Sequence, residues 1–158
     1  MATHLTTLGD HSAKNMISLK SKRIGIVVSE WNDQVTDALL SGAVEILNSQ
    51  GIKKNNLIVK YVPGSFELTL GAQYLANDKK VDAVICLGCV IQGETRHFDF
   101  ICDAVANGIT NVGLKFNKPV VFGVLTTNTL KQALDRAGGK HGNKGEEAAF
   151  TAIKMLGF

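Results

Sequence analysis

The sequence predicts an α/β fold: a three-layer α/β/α sandwich around a central, mostly parallel four-stranded sheet. Three observations predict it. Short β-branched runs, apolar at both parities, recur along the chain; stretches with apolar residues at helical spacing separate them; and glycine, proline or a capping polar residue stands at the changeovers. Strands and helices alternating at these lengths imply right-handed βαβ crossovers, and so parallel strands between two helical layers. A length of 158 residues with 45% hydrophobic and 20% charged content suits one soluble globular core. Residues 1–21 read as a polar amino-terminal arm and residues 22–158 as a single domain.

Taken along the chain, Arg23–Ser29 is apolar on both faces, the pattern of a central strand. Asn32 is placed to cap a helix carrying Val35, Leu39, Ala43, Ile46 and Leu47, which Gly51 stops. Leu57–Val62 is a second strand, broken by Pro63-Gly64; Ser65 is placed to cap a helix over Glu67–Ala76 with Leu68, Ala72 and Leu75 on one side. Val81–Ile91 is the third strand. A long helix from about Thr95 to Leu114 comes next, with Phe98, Ile101, Val105, Ile109 and Val112 as its buried stripe. Pro119 opens a fourth strand over Val120–Leu125. Thr127–Thr129 caps a helix over Leu130–Ala137, Gly138, Gly139 and Gly142 interrupt it, and a last helix runs from about Asn143 to Leu156, with Ala148, Ile153 and Leu156 among its apolar positions.

Composition narrows the function. A formal net charge of +3 is too small, and its cations too dispersed, for a nucleic-acid footprint. No window approaches the roughly 18 apolar residues of a membrane span, and Met1–Ser21 lacks the apolar segment of a secretory signal, so a cytoplasmic protein is expected. Three cysteines fit a reducing compartment. Cys86 and Cys89 resemble half a zinc site, but residues three apart on a strand point to opposite faces, so no metal is expected. Cys102 reads as a packing residue. His4, His11 and His141 lie in a polar arm or a glycine-rich loop and read as surface residues.

Parallel sheets bind ligands outside the carboxyl ends of their strands. There the first strand delivers Trp31 and Asn32, the second Ser65, Phe66 and Glu67, and the third the run Gln92 to His97. Aromatic walls suit a flat heterocycle, a carboxylate or amide suits hydroxyl and ring N–H groups, and free amides at a helix start suit phosphate. The helix dipole also disfavours a charged imidazole, and a neutral His97 can move protons. Arg136, Lys140 and Lys144 are spaced by four, yet the intervening glycines argue against one helical face; a basic junction of this kind could hold a phosphate. The Gly88-x4-Gly93 spacing matches neither a Walker loop nor a dinucleotide fingerprint.

Four separated blocks carry a resemblance: Pro63-Gly64-Ser65-Phe66-Glu67-Leu68, Gly88 through Asp99 (GCVIQGETRHFD), Pro119 through Thr126 (PVVFGVLT), and Arg136 through Gly145 (RAGGKHGNKG). Together, over residues 20–158, they resemble the 6,7-dimethyl-8-ribityllumazine synthases of riboflavin biosynthesis, whose sandwich is flavodoxin-like. The resemblance implies a transferase that condenses 5-amino-6-(D-ribitylamino)uracil with 3,4-dihydroxy-2-butanone 4-phosphate, releasing phosphate and water without a cofactor. It implies that His97 is catalytic and that Trp31, where phenylalanine is commoner, stacks near the pyrimidine. Asn32 falls in the same substrate pocket. Ser65, Phe66 and Glu67 would hold the ribityl chain, main-chain groups of Cys89, Val90 and Ile91 the uracil edge, and Glu94, Thr95 and Arg136 the phosphate. Phe122 and Lys144 look like further pocket residues, with Phe122 and Arg136 arriving from an adjacent subunit. Cysteine at 89 also departs from the commoner small residues. The resemblance further implies pentamers; the compact Gly138–Gly145 junction resembles members that build sixty-subunit icosahedral shells, and riboflavin synthase is an implied partner. Two rivals have other chemistry. A flavin or lumazine binder without catalysis would have no use for His97 and Arg136 together, and a flavodoxin-like electron carrier would need a phosphate cradle that Ser29–Asp33 lacks.

Overall fold

A computed structural model describes residues 18–158. The arm expected over residues 1–21, with His4 and His11, lies almost wholly outside the described residues. Four strands, β1 (Ile24–Ser29), β2 (Leu57–Val62), β3 (Ala83–Ile91) and β4 (Val120–Thr127), form one parallel sheet in the order β2-β1-β3-β4. This is the flavodoxin-like arrangement, and the order reverses between β1 and β3, which makes that junction a topological switch point.

The alternation of side chains along each strand divides the core in two. Ile24, Ile26 and Val28 of β1 and Ile85, Leu87 and Cys89 of β3 pack on one face, against Val35, Leu39, Ala43 and Leu47 of α1 (Asp33–Ser49) and Ala148, Ala149, Ala152 and Ile153 of α5 (Lys144–Leu156). Val27, Val84 and Cys86 face the other way, against Leu68, Ala72 and Ala76 of α2 (Leu68–Asn77) and Val105, Ile109 and Val112 of α3 (His97–Phe116). Cys86 and Cys89 therefore lie on opposite faces of one strand, as their spacing requires. Every residue of β1 is buried, in keeping with its doubly apolar sequence. Close approach of α5 to α1 depends on Gly145, where any Cβ would collide with the Leu39 carbonyl.

Several local expectations are corrected. The α3 helix begins at His97 rather than Thr95 and runs to Phe116, where Asn117 in the left-handed region ends it. Phe98, Ile101 and Cys102 are only partly buried. The helix expected over Leu130–Ala137 stops at Leu134 (α4), because Ala137–Gly139 (β5) turns back to pair with Gly142–Asn143 (β6) in a small antiparallel hairpin. Glycines with positive φ at 138 and 142 permit that turn, which in the sequence looks like a mere interruption. Ser65 caps nothing: it opens a short 3-10 turn, Ser65–Glu67, where the Gly64 amide donates to Glu67 Oε2 at 3.0 Å. Asn32 precedes α1 without capping it by its side chain.

Candidate functional site

Past the ends of the strands the backbone ladder continues for a few residues and holds the adjoining loops in place. Glu30 N donates to Val62 O at 2.8 Å and Trp31 N to Pro63 O at 3.1 Å, so Trp31 is held beside the β2 exit. Gln92 N donates to Thr127 O at 2.8 Å, which extends the β3–β4 pairing toward His97. Rigid elements thus present short loops, the usual way a site is positioned accurately.

These loops enclose a cavity of about 570 Å³ at the switch point between β1 and β3, within the range of small-molecule sites. Its lining joins Trp31 and Asn32 after β1, Ser65, Phe66 and Glu67 after β2, Cys89, Val90 and Ile91 at the end of β3, and His97 at the start of α3. Nine residues singled out in the sequence are therefore brought together. Gly64 and Ile101 also line it. Ile101 could have been found from its spacing, one helical turn after His97.

Trp31 and Phe66 stand 73% and 56% exposed, unlike packed aromatics, and leave flat apolar surface at the mouth. At the base, the Ser65 Oγ is buried with no hydrogen-bond partner among the described residues, and a Cβ on Gly88 would sit 2.8 Å from it. Glycine at 88 is what lets β3 pass beneath that hydroxyl. The Glu67 carboxylate already accepts from Gly64 N–H, so the rim of the cavity is fixed by its own capping interaction.

His97 is exposed and forms the first residue of α3; its amide donates to Thr95 Oγ1 at 3.4 Å. Glu94 and Thr95 are exposed in the turn just before, and among the described residues their amides donate no hydrogen bond. Two unoccupied amides at a helix start beside an imidazole form an anion-receptive corner next to a proton carrier.

The remaining predicted residues lie elsewhere in the chain. Phe122, 41% exposed on β4, and Lys144 line a separate groove of about 370 Å³ between β4 and α5 with Glu147, Thr151 and Met155. Lys144 Nζ pairs with Glu147 Oε2 at 2.5 Å. Arg136 comes just after α4, with its amide bonded to Ala133 O at 3.0 Å and its carbonyl accepting from Lys144 N at 2.8 Å. Within one chain these three do not border the switch-point cavity.

Burial determines the state of the thiols. Cys86 is pushed up to about 12 and Cys89 to about 11 by loss of solvent, so both stay protonated at neutral pH. Among the described residues no helix is long and apolar enough to cross a membrane.

Comparison with known proteins bears on the same residues. Residues 21–158 match the profile of a family described as 6,7-dimethyl-8-ribityllumazine synthase. The chain is 69% identical over 139 residues to a 6,7-dimethyl-8-ribityllumazine synthase of Cytophaga hutchinsonii, an overlap spanning 88% of this chain and 87% of the relative. It is 51% identical over 158 residues to the protein of that name from Parabacteroides distasonis, covering 100% of this chain and 99% of the relative. Identity to the Porphyromonas gingivalis protein of the same name is 52% over 157 residues, or 99% and 98% of the two chains.

Proposed function

The chain belongs to the 6,7-dimethyl-8-ribityllumazine synthase family, and from that premise we propose that its switch-point cavity condenses 5-amino-6-(D-ribitylamino)uracil with 3,4-dihydroxy-2-butanone 4-phosphate. The observation that carries this reading is the convergence, in one cavity, of exposed aromatics and a first-turn histidine, with vacant helix-start amides in the turn just before that histidine. An enzyme of riboflavin biosynthesis needs a surface for a flat pyrimidine, a proton carrier and a place for a leaving phosphate.

In the proposed sequence the 5-amino nitrogen attacks the ketone and water leaves to give an imine. Phosphate departs by β-elimination as a proton is lost from carbon, the enol tautomerises, and the exocyclic nitrogen closes the ring on the second carbonyl with loss of water. Each step relocates a proton, and His97 takes and returns it. Trp31 stacks near the pyrimidine, Ser65, Phe66 and Glu67 hold the ribityl chain and its neighbours, and the main chain of Cys89–Ile91 binds the pyrimidine edge. Holding both substrates in register supplies much of the remaining acceleration.

The phosphate contact from Arg136 and the lining from Phe122 are assigned to a neighbouring copy, with Lys144 a further pocket residue; none of the three lines the cavity of its own chain. Assembly is therefore part of the function, with pentamers, and shells of sixty subunits, as the expected states and the arm of residues 1–21 outside the single domain. Riboflavin synthase is an expected partner, and the cytoplasm the expected location. Mixing the two substrates with the purified protein should generate the fluorescence of a lumazine; a protein that binds the pyrimidine but forms no product would support the non-catalytic binder instead. Sedimentation of the same sample tests the assembly, and a monomer retaining full activity would overturn the shared site.

A further inference from the structure

Asn32 does something its sequence position does not announce. An asparagine before a helix ordinarily turns its side chain back onto the first-turn amides, worth roughly 1 kcal/mol. Here it makes no such bond, and its backbone sits in the left-handed region at φ 63° and ψ 44°. Only Asn32 and Asn117 among the described non-glycine residues have positive φ, and Asn117 ends a helix, where that conformation is routine. At Asn32 the same conformation starts one, beside a cavity. Strain retained at such a place calls for a compensating interaction.

The compensation is a single bond: Asn32 Nδ2 donates to the Cys89 carbonyl at 2.9 Å, across 57 residues of sequence. It falls where regular β1–β3 pairing has ended, since the last register pair is Val28 with Leu87. The bond therefore bridges the crevice at the switch point, where the connections diverge to opposite faces and the sheet alone no longer holds its walls together. Two main-chain bonds and one hydroxyl fix the rest of the turn: Asn32 O accepts from Val35 N at 2.8 Å and Thr36 N at 3.1 Å, and Thr36 Oγ1 donates to the Ser29 carbonyl at 2.8 Å. Among the described residues, the Asn32 side chain makes the hydrogen bond from this turn to β3.

We propose that Asn32 is a positioning residue that clamps the Trp31 wall to the Cys89–Ile91 floor, setting the width of the slot into which a flat heterocycle slides. The inference rests on the proposed function for the identity of that heterocycle, the substituted pyrimidine, but not for the clamp itself. It places Asn32 as a support for groups that touch the substrate. The phosphorylated substrate, bound at the His97 end and by a neighbouring copy, does not depend on that slot.

Two variants separate the clamp from the turn. Asn32→Gly keeps the left-handed conformation at no steric cost and removes the donor; Asn32→Asp also tolerates that conformation but sets an acceptor against the Cys89 carbonyl. Trp31 is the chain's single tryptophan, so its fluorescence anisotropy in the assembled, substrate-free protein reads the wall directly. Both variants should depolarise faster than the parent and raise KM for the pyrimidine about 5- to 30-fold, leaving kcat and KM for the phosphorylated substrate within about twofold. Parental anisotropy in both variants, or faster depolarisation with an unchanged pyrimidine KM, would overturn the proposal. Faster depolarisation in the variants of a protein whose parent forms no lumazine would retain the clamp and sink the proposed function instead.

Discussion

The two ends of the parallel sheet use the same kinds of polar residue for opposite purposes. At the amino end most of the charges are tied to one another or to backbone: Asp82 accepts from Lys22 Nζ at 3.1 Å and from the Arg23 amide at 2.8 Å, and Lys118 Nζ closes the end of α2 through the Ala76 and Asp78 carbonyls at 2.8 and 2.7 Å, while Arg23 Nε is buried there without a partner among the described residues. At the carboxyl end His97 is exposed, the Glu94 and Thr95 amides have no partners among the described residues, and the Ser65 hydroxyl is buried without one. Satisfied groups stabilise, and an unsatisfied group that lines a cavity, as Ser65 does and Arg23 does not, is open to a ligand. The difference teaches where to expect stability effects and where to expect catalytic ones, and it can be broken by experiment.

The largest expected effect is at the carboxyl end. Replacing His97 by alanine should slow lumazine formation roughly 10- to 10⁴-fold, the range of a lost proton carrier, with little change in melting temperature because the side chain is exposed. A rate near the parent's would remove His97 from the mechanism; a large fall in stability would break the contrast between the two ends. Next comes Arg136, the cation assigned to the phosphate of a neighbouring site. Arg136→Ala should raise KM for the phosphorylated substrate about 10- to 100-fold, as expected for a lost charge-assisted contact, and leave KM for the pyrimidine nearly unaltered. Equal weakening of both substrates would place Arg136 in assembly rather than in the phosphate site.

The strand between the two ends supplies a third test. Both of its thiols are raised by burial, Cys86 to about 12 and Cys89 to about 11, from an ordinary value of 9.0. The unfolded chain therefore releases these protons near pH 9 while the folded chain keeps them. Stability from this source is complete below pH 9 and declines as pH rises toward the folded values, by about 1.4 kcal/mol at pH 10 for Cys86. Denaturant titrations at pH 8 and pH 10 should show the decline, and Cys86→Ala should reduce it. A variant with the parent's pH dependence would mean that Cys86 ionises in the native state.

Legibility in the sequence divides along similar lines. Central strands are readable because burial on both faces leaves an uninterrupted apolar run such as Ile24–Val28, and the cavity because ligand sites of parallel sheets lie beyond strand ends. Capping is easily misjudged at Asn32 and Ser65, since a polar residue before a helix looks the same whether its side chain turns to the helix or elsewhere. Only the tertiary partner decides, and for Asn32 that partner is a carbonyl on another strand. The β5–β6 hairpin escapes because it is three residues against two, too short to show a period. No residue pattern joins the groove holding Phe122 and Lys144 to the cavity; the link to an adjacent copy is what the family resemblance implies.

The smallest effect belongs to the amino end and tests the comparison most directly. Removing the Asp82 carboxylate by Asp82→Ala leaves the part-buried Arg23 amide without its acceptor and should lower stability by about 1 kcal/mol, while turnover per folded enzyme stays unchanged. The Lys22 ion pair, about one-third exposed on each side, adds little to that. Asp82→Asn separates the two contributions, since its amide oxygen still accepts from the Arg23 N–H but carries no charge; it should recover most of the loss. If Asp82→Asn were as unstable as Asp82→Ala, the charge rather than the backbone bond would hold this end together. If either variant altered the KM of a substrate, the two ends would be coupled through the sheet, and the assignment of stability to one and chemistry to the other would fail.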